Sequence, residues 1–441
     1  MGIARKSVFG FGGQVYMLVV GLVSTIIIAR LLGPEGKGVL AVVAAVPSLA
    51  LGAASFGLGP ALAFMAGKNR YPARELLTAA LLWSVLLGLV VGTIVWLARV
   101  PLLASVLKGL TAQDLAVVLV SLPAYYLNAF IGALLAGHGR AVAVAGLSAV
   151  GATLNLAAVV GASLWFPRES SAMVIALSVA AFVGAIVALA VCRVGLAFSP
   201  MKLYRITRES TPYAAKSYIG QATSMFFLRA DVFFLNYFAG PAAVGVYSVA
   251  TNLAEKLWML SNPVSTAVYS LITGAERDDA VRLTTLTSRT LLVLNGVAGL
   301  LLVGAAVLLV PVIYGSQFTG AIWYLTLLLP GVIVYAVCQP YSQFFSGQLG
   351  KPGITSNLSA LMMILSAGLY MTLIPKMGAT GAALGSTISY SSALLGYAWL
   401  MPRASGVTLR EMLIPSREDF ELYKSVGVSV LRRLRRNARH H

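Results

Sequence analysis

Twelve stretches of about twenty residues or more, nearly free of charge, constrain this chain more than any other feature. They run over 8–32, 39–66, 76–98, 115–136, 141–166, 171–192, 211–238, 244–272, 290–314, 320–347, 354–374 and 378–400, with ends placed to about four residues. Each is long enough to cross a bilayer as a helix, whereas a barrel strand needs only about ten residues and alternates. With 59% hydrophobic and 10% charged residues and a mean hydropathy of +0.86, a soluble globule is excluded, because its surface would lack polar cover. The expected fold is an all-α polytopic membrane protein.

The basic residues set an expected orientation. Connections on the side of the N-terminus, together with the C-terminal tail, hold 23 Lys and Arg; those on the other side hold Lys37, Arg99, Lys108, Arg168 and Lys376. Positive-inside placement therefore puts both termini in the cytoplasm. The net charge of +18 is accounted for by topology and by attraction to anionic lipid, so nucleic acid is not implied. The first stretch follows Arg5 and Lys6, but it exceeds a typical signal-peptide core and reads as the first span. Cys192 and Cys338 stand alone in apolar stretches, and His138, His440 and His441 have no metal-ligand spacing, so no metal site or cofactor is expected.

The two halves echo one another. Gly33-Pro34-Glu35-Gly36-Lys37-Gly38-Val39 recurs as Gly240-Pro241-Ala242-Ala243-Val244-Gly245-Val246, 207 positions later. Gly137-His138-Gly139-Arg140 with Leu147-Ser148-Ala149 recurs as Gly347-Gln348-Leu349-Gly350-Lys351 with Leu358-Ser359-Ala360. Six spans per half, an even number, make this a parallel repeat, as in transporters that work by alternating access. The expected division is a first six-helix bundle over 1–200, a second over 201–401, and a basic tail over 402–441. Pro47, Gly52, Gly57, Gly59 and Pro60 mark the second span as one that either packs closely or bends.

Nine of the twelve stretches carry no charge. Arg30 closes the first, and Lys216, Arg229, Asp231, Glu255 and Lys256 lie in the seventh and eighth. Charges in a membrane face a bundle interior or an aqueous cavity. At 1.5 Å per residue, Arg229 is about 13 Å and Glu255 about 16 Å from the shared turn, so Arg229, Asp231, Glu255 and Lys256 stand at one depth. They suit an anionic substrate; a permanent ion-pair cluster pinning two helices is the competing reading. Lys216 and Arg30, near span ends, also fit snorkelling to headgroups. Tyr247, Asn252, Ser261 and Asn262 extend the eighth span's polar line, and Gln339, Ser342, Gln343 and Gln348 form another in the tenth. Such groups suit sugar hydroxyls or interhelical hydrogen bonds.

The run Ile28-Ala29-Arg30-Leu31-Leu32-Gly33-Pro34-Glu35-Gly36-Lys37-Gly38 resembles the end of the first helix in polysaccharide transporters of the multidrug/oligosaccharidyl-lipid/polysaccharide superfamily. Arg229-Ala230-Asp231, followed by Gly240-Pro241 and Val244-Gly245-Val246-Tyr247, is similar to their helix seven to eight signature, and Gly378-Ala379-Thr380-Gly381-Ala382-Ala383 to the turn before their last helix. The resemblance implies two six-helix bundles and an O-antigen-type flippase. Such proteins move polyprenyl-pyrophosphate-linked oligosaccharide from the inner to the outer leaflet of a bacterial or archaeal cytoplasmic membrane. It further implies that cations hold the pyrophosphate, a role mapping onto Arg30 and Arg229, and less directly onto Lys216 and Lys256, with Tyr247 and Asn252 beside them. Asp231 and Glu255 then serve in charge pairing or in coupling to Na⁺ or H⁺. Polysaccharide polymerase and assembly proteins are implied partners, and a monomer is expected because each half supplies one cavity wall. The Arg-bearing helix-eight motif of peptidoglycan-precursor flippases is not evident near Thr251 and Asn252, which speaks against lipid II.

Two other classes compete. A multidrug and toxin extruder of the same superfamily calls for acidic cavity residues, whereas the spans here hold four cations and two acids. A polymerase or ligase calls for a long loop with clustered acids or histidines, and no such loop occurs, so no enzymatic role is expected. In the tail, Ser416 and Glu418 fit a helix start, and Phe420 to Arg436 read as a basic amphipathic or solvated segment at the membrane surface.

Overall fold

The computed structural model of the protein describes residues 3–192, 195–415 and 419, with all their side chains except those of 3–11, 216, 219, 266, 267 and 270. Among the described residues the chain is helical throughout, and nine helices are long and apolar enough to cross a membrane. Two of the nine are double. Helix α1 (Ile3–Ala54) turns at Gly33 (φ 65°, ψ −169°), and α8 (Pro200–Glu255) turns at Gly240 (φ 80°, ψ 176°). Only glycine takes such angles without strain, and Pro34 and Pro241 then start the return arms with φ already set. With α13 (Ala379–Ser405) the twelve expected spans are all present as helices.

The first half continues with α2 (Leu58–Gly67), α3 (Ala73–Leu97), the short α4 (Arg99–Ala104), α5 (Ala112–Gly137), α6 (Ala141–Trp165) and α7 (Ser170–Cys192). The second half adds α9 (Trp258–Gly274), α10 (Arg277–Leu309), α11 (Gly320–Gln343), α12 (Pro352–Met377), α13 and the short α14 (Leu409–Leu413). Helices α3, α5, α6 and α7 pack on one another, as do α10, α11, α12 and α13, and the halves meet where α1 lies along α8. Two expected spans are broken. The second gives way between Ala54 and Leu58, where Phe56 (φ 48°) and Gly57 (φ 72°) leave helical geometry. The eighth breaks between Glu255 and Trp258.

The internal repeat has a packing reason. A Cβ at Gly38 would stand 1.7 Å from the Pro241 carbonyl oxygen, and one at Gly245 would stand 1.8 Å from that of Pro34. The two return arms therefore touch backbone to backbone, reciprocally, at the glycine of each Gly-Pro-x-x-x-Gly-Val copy, a small-residue contact of the kind that brings membrane helices together. Further polar bonds join the halves at this end. Asn236 Nδ2 donates to the carbonyls of Val106 (2.9 Å) and Lys108 (3.0 Å), and Lys108 Nζ donates to that of Tyr237 (2.6 Å).

At the opposite end, the first turns of α8 lie against the first half. Lys202 Nζ reaches the buried Glu75 Oε1 at 2.6 Å, and the Phe64 and Tyr213 rings stack with centroids 4.6 Å apart. Tyr218 donates to the Ala53 carbonyl at 2.7 Å. Gly57 is held there by both space and angle, since its Cβ would meet the Ala214 oxygen at 2.1 Å. The second span thus both bends and packs closely. In the tail, Asp419 is buried and pairs with Arg289 (Nε to Oδ2 2.7 Å), tying this stretch to α10, while Ser416, Glu418 and Phe420 to Arg436 lie outside the described residues.

Candidate functional site

The intramembrane charges separate by helical phase. Arg229 and Asp231, two residues apart on α8, point about 200° away from each other. Arg229 meets Glu255 in a two-pronged pair, Nη1 to Oε1 at 2.8 Å and Nη2 to Oε2 at 3.4 Å. The two side chains keep 36% and 27% exposure, so the pair borders open space rather than sitting in a sealed core. A partly open guanidinium whose fork already holds one carboxylate is equipped to exchange it for another oxyanion.

Asp231 turns into the second bundle and is 5% exposed. Its Oδ2 accepts from the Tyr247 hydroxyl at 2.8 Å and its Oδ1 from the Val232 N–H at 2.8 Å. Tyr247 lies 3.3 Å from Ser386 Oγ, which in turn lies 2.9 Å from the Tyr370 hydroxyl. This buried chain links both arms of α8 to α12 and α13. Both carboxyl oxygens thus accept a hydrogen bond, and the hydroxyls join the carboxyl to a relay of buried side chains.

The break in the eighth span falls at these charges. From Leu253 to Leu260 the backbone bonds step back three residues: Lys256 N to Leu253 O (3.2 Å), Leu257 N to Ala254 O (3.1 Å), Met259 N to Lys256 O (3.1 Å) and Leu260 N to Leu257 O (3.0 Å). A short tight stretch inside a helix marks a hinge, and half-helix ends within a membrane mark ion and substrate sites. Lys256 sits at the break, part-buried, and makes no ion pair among the described residues. Asn252 donates back to the Ser248 carbonyl at 2.6 Å, leaving its own oxygen available.

Arg30 is placed differently. From the last turn before Gly33 it reaches across to the second half, its Nε donating to the Ile313 carbonyl at 2.8 Å and its Nη2 to that of Val312. These are orphan carbonyls of a π-helical turn over 310–314, a natural partner for a guanidinium. In this conformation Arg30 joins the two halves at the end where Gly38 meets Gly245. Lys216 lies on the first arm of α8, and its side chain falls outside the described set.

Lys37 corrects the sequence reading. Counted there among loop cations, it stands instead on the return arm of α1 and is 6% exposed, with no ion pair among the described residues. The signal was available in its flanks: Gly36 and Gly38 let the arm press against its neighbour, and a residue between them is buried with it. Also absent from the sequence reading is an aromatic wall beside the ion pair. Phe227 and Tyr390 have centroids 4.6 Å apart, Trp258 and Tyr335 5.4 Å, and Tyr335 and Tyr390 5.5 Å. Phe227 precedes Arg229 by two residues and Trp258 follows Glu255 by three, so each charge has an aromatic neighbour in sequence. Ser261 and Asn295 bond each other across α9 and α10 (2.9 Å), and Gln348 donates to the Ala275 carbonyl at 3.0 Å; these polar residues hold helices together. Among the described residues no group of three metal-ligating side chains is found.

Known proteins share this architecture. The lipid II flippase MurJ in an inward closed conformation superposes with a TM-score of 0.72 at 13% identity, over 89% of this chain and 87% of that one. A multidrug resistance MATE family transporter of the MOP superfamily, inward-facing, superposes with a TM-score of 0.67 at 18% identity, over 88% and 95%. In sequence, the probable low-salt glycan biosynthesis flippase Agl15 of Haloferax volcanii is 21% identical over 194 residues, 43% of this chain. The chain thus spans 40% of that relative's length. The model of the polysaccharide biosynthesis protein family matches residues 3–274, which take in the first bundle, both arms of α8 and the whole of α9. This multi-pass membrane protein belongs to the polysaccharide biosynthesis protein family.

Proposed function

We propose that the protein is a flippase for a polyprenyl-pyrophosphate-linked oligosaccharide, carrying the headgroup between leaflets by alternating access. The observation that carries this reading is the Arg229–Glu255 pair, part-exposed and set at a mid-span helix break beside Lys256, which makes no ion pair among the described residues. A pyrophosphate brings oxyanions that replace the Glu255 carboxylate on the Arg229 fork, with Lys256 adding charge. The isoprenoid tail stays in lipid. The membrane is the cytoplasmic membrane of a bacterium or archaeon, with both termini inside, as the basic loops indicate. The Gly38–Gly245 contact and the Arg30 bonds then close the outer end in this conformation. Outward movement of the anion follows an inside-negative potential, worth about 2.3 kcal/mol per charge per 100 mV. The glycan flippase relative and the family match support this substrate class, and the protein performs transport without a chemical step.

Binding by purified protein decides between this reading and a drug extruder. A polyprenyl-pyrophosphate oligosaccharide is expected to bind, and an excess of a lipophilic organic cation to leave that binding unchanged. Preferential binding of the cation would overturn the assignment.

Ion coupling is a second part of the proposal. Asp231 with its Tyr247–Ser386–Tyr370 relay, and Glu255 once freed from Arg229, are the acids available to take up Na⁺ or H⁺. In proteoliposomes, the Asp231→Asn, Glu255→Gln double variant is expected to transport without response to a Na⁺ or pH gradient. An unchanged gradient dependence would remove both residues from coupling.

A further inference from the structure

The first bundle holds a cavity of its own. It lies among the return arm of α1 and helices α5, α6 and α7, all in the half that carries none of the Arg229 cluster, and its volume is about 530 Å³. That is the size of an ordinary small-molecule site. Glycines make part of the space: a Cβ added at Gly132 or Gly151 would meet no atom within 4 Å. No lining residue is charged.

The polar lining is rich in acceptors. Asn128 spends its Nδ2 on the carbonyls of Ala124 (2.9 Å) and Ala181 (3.1 Å), which leaves Oδ1 as an acceptor. Asn155 gives one N–H of Nδ2 to the Gly151 carbonyl at 3.0 Å and keeps Oδ1 and a second N–H. Ser148 donates to the Val144 carbonyl at 3.1 Å and keeps its lone pairs. The Tyr125 hydroxyl, also on the wall, has no hydrogen-bond partner among the described residues. An oxyanion finds no charged partner here. A hydroxyl-rich neutral ligand offers donors to three oxygens, takes one bond from Tyr125, and lays its C–H faces on the apolar remainder of the wall.

We infer that this cavity is the saccharide subsite: the first bundle takes the neutral sugar while the second takes the charged pyrophosphate. This rests on the flippase reading and divides its substrate between the two halves. The division has a physical basis, since an uncharged wall with hydrogen-bonding groups suits a neutral polyol, whereas a desolvated dianion needs cations, which stand in the second half.

The test compares two probes on the full chain in nanodiscs: bare polyprenyl pyrophosphate and the same carrier bearing an oligosaccharide. Wild type is expected to bind the glycosylated carrier about tenfold more tightly, the worth of one or two net hydrogen bonds and some apolar contact. Filling the space by Gly151→Leu, or removing acceptors by Asn155→Leu, is expected to erase that preference and leave bare-carrier binding unchanged. Tyr125→Phe, which removes one hydroxyl and keeps the packing, is expected to reduce the preference about threefold, and it decides the matter where the larger changes impair folding. A preference that persists in all three variants, or equal loss for both probes, overturns the subsite. Equal binding of both probes by wild type also overturns it. Failure of wild type to bind either probe overturns the flippase reading beneath.

Discussion

Arg229→Ala is expected to weaken binding of the pyrophosphate-linked saccharide by roughly 10- to 100-fold, the worth of a charge-assisted two-pronged contact. The single change also strands the Glu255 carboxylate beside the helix break, so a loss of stability would cloud the result. The double variant Arg229→Met, Glu255→Gln separates the two effects. It removes both charges together, which in membrane and protein interiors is close to neutral for folding, whereas leaving one charge unpaired is costly. If the pair serves the substrate, the double variant keeps its thermal stability in detergent and still fails to bind. If the pair only pins α8 against its own return arm, the double variant binds as wild type does, and Arg229 leaves the substrate site. Because the pair retains 36% and 27% exposure, its own contribution to stability is screened and small.

Gly38→Val or Gly245→Val is expected to abolish transport. Each added Cβ would fall 1.7 or 1.8 Å from a proline carbonyl oxygen on the opposing arm, and backbone on both sides leaves no flexible group to move aside. Overpacking of this kind costs about 1–3 kcal/mol or more, and here it acts only on the conformation in which the two arms touch. The halves should therefore be held apart at this end. A Lys37→Cys reporter, buried in the closed arrangement and observed against a background of two buried native cysteines, reads this directly. A membrane-impermeant thiol reagent is expected to label it slowly in the parent and at least tenfold faster in the glycine variants. Unchanged labelling together with full transport would show that the contact is incidental.

The sequence carried the location of the site further than its wiring. Depth along a helix follows from residue count, so counting alone places Arg229 and Glu255 at one level, and in the folded protein they pair. Depth does not give azimuth relative to neighbours that are themselves unplaced. Four charges read as one cluster accordingly resolve into an ion pair on open space, a buried Asp231 on a tyrosine–serine relay, and a Lys256 with no ion pair among the described residues. The relay draws on α12 and α13, more than a hundred residues beyond Asp231, and no local pattern announces such a contact. Lys37 was misplaced for a related reason: a glycine-proline turn looks like a loop, yet Pro34 starts a helix at once, and the lysine enters the bundle with it. Arg30 was legible as a charge near a span end, but its partners at Val312 and Ile313 belong to the other half.

By itself the sequence determined that the protein carries twelve stretches long and apolar enough to cross a membrane, that its halves repeat, and that the charge within those stretches is concentrated in the second half. Those properties depend on hydrophobic length and on spacing along the chain, and both are local. Only the tertiary structure decided which charges pair, that the repeated glycines are the point where the two arms touch, and that the first half holds a cavity lined by uncharged residues. These depend on which helix faces which across distances of two hundred residues, set by packing and hydrogen bonding in a medium where no backbone polar group can be left unsatisfied.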